Sequence, residues 1–231
     1  MYNVYLFNGY TMKTTPKITL ALFTLILILL LRSDAQAQMQ WKFNGEKDGI
    51  KSYTADVINT KVKAIKLEAN FQAPLNQLVG VLLDIKSSPE WAYKTRSATV
   101  LKQVSPTEVY YYTELSMPWP VVNRDFVGHL TATLNSNTKV VTIDGPVVPD
   151  YITKKKDLVR IERSVGKWVL TPLNDRETKV EYSLQVDPGG NAPAWLVNMF
   201  ASEGPTQSLK NLRLQLKKPD HKNDPLPFFH N

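Results

Sequence analysis

Apolar and polar residues alternate over much of the chain between residues 61 and 186, which is the pattern of β-strands with one buried face. Turn-forming residues separate the successive runs. The alternation predicts strands at residues 61–71, 98–104, 108–115, 125–134, 139–143, 158–170 and 178–186. Strands at this spacing are typical of an antiparallel meander.

Helical patterns flank these strands. Pro74 is suited to the start of a helix, and an apolar stripe from Leu75 to Leu83 follows it. A short helix is predicted from Pro89. After residue 190, Trp195, Leu196, Met199 and Phe200 form the apolar face of a third helix, and the Gly204-Pro205 pair predicts an interruption before its second half.

The first 37 residues have the pattern of a secretory signal peptide. Lys13 and Lys17 precede fourteen residues without a charge, Ile18–Leu31, and the small-residue motif Ala35-Gln36-Ala37 follows. We expect cleavage after Ala37 and a translation start at Met12. Fourteen residues are short for a membrane-spanning helix, although a retained signal anchor is the alternative. The expected destination is the periplasm or the medium.

The composition of the remaining chain permits one domain without disulfide bonds. Residues 38–218 are long enough to bury a sizeable core, and there is no cysteine in the sequence. The full chain has a net charge of +7, which falls to +5 without residues 1–37. Such a charge is compatible with contact to an anionic surface. The polar, proline-containing residues 219–231 are expected to be a disordered tail.

Motifs of catalysis, metal binding and nucleic-acid binding are missing. There is no phosphate-binding glycine loop and no cysteine–histidine cluster, and His129 is the sole histidine before the predicted tail. The basic run Lys154–Lys156 is typical of a solvated turn. We therefore expect no metal, no cofactor and no nucleic-acid partner.

Charged residues flank a Pro118-Trp119-Pro120 turn. Glu114 precedes the turn and Arg124 follows it, so they are candidates for a mutual ion pair, and a solvent-facing hairpin end is the alternative. By the period of two, Arg124 shares the more apolar face of its strand with Phe126 and Leu130.

Four short motifs occur in the order expected of a START domain, the lipid-binding branch of the helix-grip superfamily. They are Pro89-Glu90-Trp91, Pro118-Trp119-Pro120, Arg124-Asp125-Phe126 and the segment 190–198. The chain resembles that family over residues 41–218. The resemblance implies an α+β helix-grip fold, in which a curved antiparallel sheet wraps around a long C-terminal helix and encloses a tunnel for one lipid.

The resemblance also implies which residues contact the ligand. Sterol-binding members have a buried glutamate where this chain has Glu114, and a second arginine where this chain has Leu130. That difference argues against a sterol and leaves Arg124 or Arg96 as the partner of Glu114. The expected ligand-binding residues are Trp91, Arg96, Tyr112, Glu114, Trp119, Arg124, Trp195, Met199 and Phe200.

The sequence and the resemblance together predict an exported, monomeric, non-enzymatic protein that binds or transfers a lipid or other hydrophobic small molecule and contacts membranes transiently. One alternative is an enzyme of the same superfamily, such as an aromatase or cyclase of hydrophobic intermediates. Another is a filled domain used for protein contacts, which a cavity smaller than about 300 Å³ would support.

Overall fold

The computed structural model describes residues 39–57 and 62–218. The predicted signal peptide and the predicted C-terminal tail lie outside these residues.

Ten strands form one sheet in the described part of the chain. They are β1 (Lys42–Lys47), β2 (Ile50–Ala55), β3 (Ala64–Phe71), β4 (Thr95–Ser105), β5 (Glu108–Leu115), β6 (Arg124–Leu134), β7 (Val141–Pro146), β8 (Val159–Arg160), β9 (Arg163–Asn174) and β10 (Glu177–Asp187). The order across the sheet is β1-β2-β3-β10-β9-β7-β6-β5-β4, and all these pairs are antiparallel. The short β8 pairs with β6 in parallel, so the single strand predicted at 158–170 is two.

The register of β5 and β6 places Glu114 opposite Asp125 and Leu115 opposite Arg124. Residues directly opposite each other in an antiparallel pair point to the same side of the sheet. Glu114 therefore shares a face with Asp125, and Arg124 shares the other face with Leu115. This register separates Glu114 from Arg124.

The two edges of the sheet are irregular. The register of β4 against β5 shifts at three places, and the register of β1 against β2 shifts between Phe43 and Gly45. The β1–β2 hairpin was not predicted from the hydrophobic pattern. Its turn residues Asp48 and Gly49 have φ values of 55° and 66°, as a tight type I′ hairpin turn requires.

Helices connect and follow the strands. They are α1 (Leu75–Leu83), a 3₁₀ turn (Ile85–Ser87), α2 (Ser88–Trp91), α3 (Ala194–Asn198), a π-helical segment (Met199–Glu203) and α4 (Gly204–Gln215). Pro74 is the N-cap of α1, and Pro205 lies in the first turn of α4. The interruption predicted near Gly204 is thus a change from π-helix to α-helix. None of the described helices is long and apolar enough to cross a lipid bilayer.

The core lies between the inner face of the sheet and the helices. Its fully buried members include Leu67 and Phe71 on β3, Leu78 on α1, and Leu209 and Leu212 on α4. The last two residues are three apart and therefore share one face of α4. The architecture is the expected α+β helix-grip fold, with a C-terminal helix that is broken into three segments.

Candidate functional site

A cavity of about 200 Å³, here called the outer chamber, lies between the sheet and the terminal helix. Its apolar lining comes from β5, β6, β10, the loop after β5 and the π-helical segment, and it includes Leu115, Met117, Phe126, Val186, Met199 and Phe200. Lys94 also lines this chamber and is exposed, so the chamber reaches the surface beside Lys94. Methionine and aromatic side chains suit a site that must repack around a flexible ligand.

A second cavity of about 170 Å³, the inner chamber, lies towards α1 and α2. Leu82, Ile85, Trp91 and Ile143 are among its lining residues. Each chamber by itself is smaller than the roughly 300 Å³ of a typical ligand site. The chambers have a common wall, however, made chiefly of Tyr111, Phe126, Leu130, Trp168 and Tyr182. They are therefore two parts of one apolar interior.

Tyr111 occupies its place in this wall because the facing strand has a glycine there. A Cβ atom at Gly128 would lie 2.5 Å from the Tyr111 ring, so no larger residue fits while the ring keeps this position. Tyr111 also meets Phe126 edge to face, with 5.7 Å between ring centroids. Burial raises the pKa of both Tyr111 and Tyr182, so both phenols are neutral.

Trp91 contributes a buried polar atom without a partner. Its indole Nε1 is the sole buried side-chain nitrogen or oxygen in the described residues that has no hydrogen-bond acceptor or donor. The ring meets Trp168 edge to face, with 6.4 Å between centroids. Buried donors without a partner are rare and costly in folded proteins.

Glu114 does not pair with Arg124, and the expected ion pair is wrong. Glu114 lies on the outer face of the sheet, where its carboxylate accepts hydrogen bonds from Tyr112 Oη at 3.0 Å and Lys155 Nζ at 2.6 Å. The hydrogen bond from Lys155 lowers the pKa of Glu114. Arg96 is exposed and adds a weaker, longer-range charge contribution, so it is not the direct partner either.

Arg124 is buried, with 3% of its surface exposed, and binds backbone carbonyl groups. Its guanidinium donates to Pro188 O at 3.3 Å, to Gly189 O at 3.5 Å and to Val122 O. Desolvation lowers its pKa. Arg124 thus joins the loop before β6 to the loop that precedes the terminal helix.

The neighbouring Asp125 forms a buried ion pair that the sequence did not indicate. Its two carboxylate oxygens accept hydrogen bonds from Arg160 Nε at 2.8 Å and Arg160 Nη2 at 2.9 Å. Arg160 lies on β8, which only the parallel pairing with β6 brings to this place. The hydrogen bond to Asp125 raises the pKa of Arg160.

The predicted ligand-binding residues separate into two groups. Trp91, Met199 and Phe200 line the chambers. The other six are absent from the lining: Arg96, Tyr112, Glu114, Trp119, Arg124 and Trp195. Trp119 is 92% exposed and Trp195 is 45% exposed, whereas Tyr112 is buried beneath Lys155 Nζ, which lies 4.5 Å from its ring centroid. Ligand contact by any of the nine remains a prediction.

Sequence reasoning missed most of the common wall. Tyr111, Phe126, Leu130, Trp168 and Tyr182 alternate with outward-facing residues on their strands, and that alternation was the available signal. No cluster of acidic or histidine side chains that could hold a metal ion occurs in residues 39–57 and 62–218.

These features define a helix-grip protein with an apolar interior. The START domain family model matches residues 26–222, and the chain belongs to this family.

Relatives agree with this assignment. An uncharacterised protein of Pseudomonas aeruginosa is 33% identical over 184 residues, which are 77% of this chain and 87% of that protein. START domain-containing protein 10 of Homo sapiens is 23% identical over 201 residues, or 86% of this chain and 69% of the human protein. Among solved structures, the STAR-related lipid transfer protein of Xanthomonas axonopodis superposes with a TM-score of 0.71 at 34% identity, covering 77% of this chain and 99% of that one.

Proposed function

We propose that this protein binds a lipid or another hydrophobic small molecule in its two chambers and carries it without chemical change. The observation that carries the proposal is the lining itself: Lys94, at the surface, is the sole charged side chain among the described lining residues. Burying an acyl chain in such a lining contributes roughly 0.8 kcal/mol per methylene group. The name of the similar Xanthomonas protein, a lipid transfer protein, supports the same function.

The common wall must move for a long ligand to occupy both chambers. The rings of Tyr111, Trp168 and Tyr182 belong to that wall, so a long ligand would have to displace them. A filled domain used for protein contacts is the second candidate, and the size of each single chamber favours it. The two candidates differ in whether the interior takes up a ligand.

Catalysis is less favoured than carriage. An enzyme acting on a hydrophobic intermediate needs an acid or base that faces the cavity. Glu114 pairs with Lys155, and His129 Nε2 lies 2.8 Å from a Glu108 carboxylate oxygen. Both pairs lie on the outer face of the sheet, away from the chambers.

Uptake of lipid by the purified protein tests the proposal. Native mass spectrometry is expected to show a co-purifying hydrophobic molecule, and delipidated protein is expected to bind a fluorescent lipid at one site. A Gly166→Leu substitution should block uptake, because the new side chain projects into the outer chamber, where no atom is nearer than 3.8 Å to a Cβ at this position. The adjacent Val165→Leu, on the exposed face, is the matched control. Ligand-free protein that takes up no lipid would instead indicate a filled domain.

We also propose that the protein is exported, monomeric and in transient contact with membranes. The signal-like pattern before Ala37 supports export. Trp119 and Val122 are exposed on the loop of residues 116–123, which also supplies Met117 to the chamber lining. Tryptophan is favoured at membrane–water interfaces. N-terminal sequencing of the mature protein tests the cleavage, and an intact N-terminus would contradict it.

A further inference from the structure

The inner chamber differs chemically from the outer one. Its described lining holds no lysine, arginine, histidine, aspartate or glutamate, and its phenols, Tyr111 and Tyr182, are kept neutral by burial. An ionised ligand group there would have no countercharge and would lose its hydration. The inner chamber therefore suits the uncharged part of a ligand.

Hydroxyl-bearing residues also line this chamber, namely Ser88, Thr95, Thr113 and Ser208. Trp91 differs from them because its indole nitrogen is a buried donor without a partner in the described residues. The indole N–H can only donate a hydrogen bond, and Nε1 has no acceptor in the described residues although 93% of the surface of Trp91 is buried. The backbone carbonyl of Trp91 accepts from Asn211 Nδ2 at 3.1 Å, which links α2 to α4 and fixes the residue in place. Nε1 has no surface open to a water-sized atom, so a ligand acceptor reaches it when the side chains beside it shift. An unpaired donor on a residue that lines the chamber is suited to such an acceptor.

We propose that the inner chamber binds a neutral oxygen acceptor of the ligand, such as an ester or ketone carbonyl, and that Trp91 Nε1 donates a hydrogen bond to it. This inference rests on the proposed function and specifies its ligand class. A charged or strongly hydrated group of the same molecule remains at the surface beside Lys94. The unpaired donor then selects an oxygen-bearing lipid over a hydrocarbon of the same length.

Two matched probes test the hydrogen bond. Methyl laurate has an ester carbonyl, whereas tetradecane of similar length has no acceptor, and both can compete with a neutral fluorescent reporter, N-phenyl-1-naphthylamine, for the delipidated protein. We expect Trp91→Phe to lower the affinity for methyl laurate about tenfold, because one hydrogen bond is lost. The affinity for tetradecane should change much less. Trp119→Phe is the control, since Trp119 is exposed and does not line a chamber.

A second measurement follows ligand binding in the unsubstituted protein and uses the Trp91→Phe variant only to assign one signal. The sequence has five tryptophans, so ¹⁵N-labelled protein gives at most five indole N–H signals, and the one lost in Trp91→Phe belongs to Trp91. Methyl laurate should move that signal downfield, and tetradecane should not.

The outcomes separate this inference from the proposed function. Displacement of the reporter by neither probe would overturn carriage itself. In a second outcome, both probes displace the reporter, while Trp91→Phe lowers the two affinities equally and neither probe alone moves the Trp91 indole signal downfield. This outcome would show that Trp91 only fills space, and it would overturn the hydrogen bond but not carriage. A selective loss of affinity for methyl laurate in Trp91→Phe, together with a downfield shift of the Trp91 signal caused by methyl laurate alone, would support carriage and the hydrogen bond.

Discussion

Arg124 Nε donates a hydrogen bond to the carbonyl oxygen of Pro188 across 3.3 Å, and this contact joins β6 to the loop that leads into the terminal helix. The same guanidinium binds the carbonyl of Val122 in the loop before β6. Since the terminal helix supplies Met199 and Phe200 to the outer chamber, Arg124 connects the two chain segments next to that chamber. These hydrogen bonds position the two segments, and the ligand contact that the sequence predicts for Arg124 stays a prediction.

Replacing Arg124 by methionine should loosen both loops. The long apolar side chain can fill the space, but it cannot bind three carbonyl groups. Hydrogen-exchange mass spectrometry should show faster exchange in peptides covering residues 116–123 and 187–193, and unchanged exchange in β9. Arg124→Lys, which keeps the charge but not the planar set of donors, should give an intermediate result. Unchanged exchange in both loops would contradict this positioning role.

Asp125 is expected to be essential for stability. Replacing it by asparagine leaves the Arg160 guanidinium buried without a countercharge, which costs about 3–5 kcal/mol in the free energy of unfolding. Urea unfolding measures the change. Asp144→Asn removes an acid from a half-exposed pair with Lys167 and should cost less than about 1 kcal/mol. Similar losses in the two variants would show that burial does not govern the strength of the Asp125 pair.

Gly128→Ala is predicted to move Tyr111. The added methyl group would lie 2.5 Å from the ring, so the ring must rotate into the chambers, at a cost of about 1–3 kcal/mol. The variant should also bind less fluorescent lipid, because the displaced ring occupies ligand space. Gly166→Ala is the matched strand substitution, with 3.8 Å to its nearest neighbour, and should be nearly neutral. Equal effects of the two substitutions would refute the close contact with Tyr111.

The Glu114–Lys155 pair predicts a small pH dependence of stability. Because the folded state has the lower pKa, Glu114 contributes stability above its unfolded pKa of about 4.5, and this contribution is lost as the pH falls through the folded value. Glu114→Gln should therefore be destabilised at pH 7, by less than about 1 kcal/mol since Lys155 is half-exposed, and should approach the parent protein on acidification. Thermal unfolding between pH 3 and pH 7 measures this. If the stability difference between Glu114→Gln and the parent protein stays constant from pH 3 to pH 7, the Glu114–Lys155 pair is not its cause.

Trp119→Ala should impair membrane contact and leave stability unchanged. Trp119 packs against little of the protein, so unfolding is expected to shift by less than about 0.5 kcal/mol, whereas lipid transfer between vesicles should slow. Leu214→Ala removes an exposed apolar side chain from α4 and is the control. If the two substitutions slow transfer equally, the contact does not depend on the Trp119 loop.

The strands of the centre of the sheet could be predicted because each has one apolar face. The β1–β2 hairpin could not be found in this way, since Lys42–Lys47 has few apolar residues and is largely exposed. The Asp48-Gly49 dipeptide, which is typical of a two-residue hairpin turn, was the sequence feature that could have indicated this hairpin. The two parts of the segment 158–170 could not be separated because β8 has only two residues and pairs with β6 rather than with β9.

The predicted partner of Glu114 was wrong because that prediction required the register between two strands. The period of two correctly placed Arg124, Phe126 and Leu130 on one face of β6. The position of Glu114 relative to them depends on the pairing of β5 with β6, which a ten-residue separation does not determine. Arg160, the true partner of an acid in this region, is 35 residues from Asp125 and had no local signal.

The irregular edges of the sheet bear on association between copies of the chain. A regular edge strand offers a row of free N–H and C=O groups to which a strand of another molecule can add. The three register shifts in β4 and the shift between Phe43 and Gly45 in β1 interrupt that row at both edges. These irregular edges therefore disfavour the growth of copies of this chain into extended sheets.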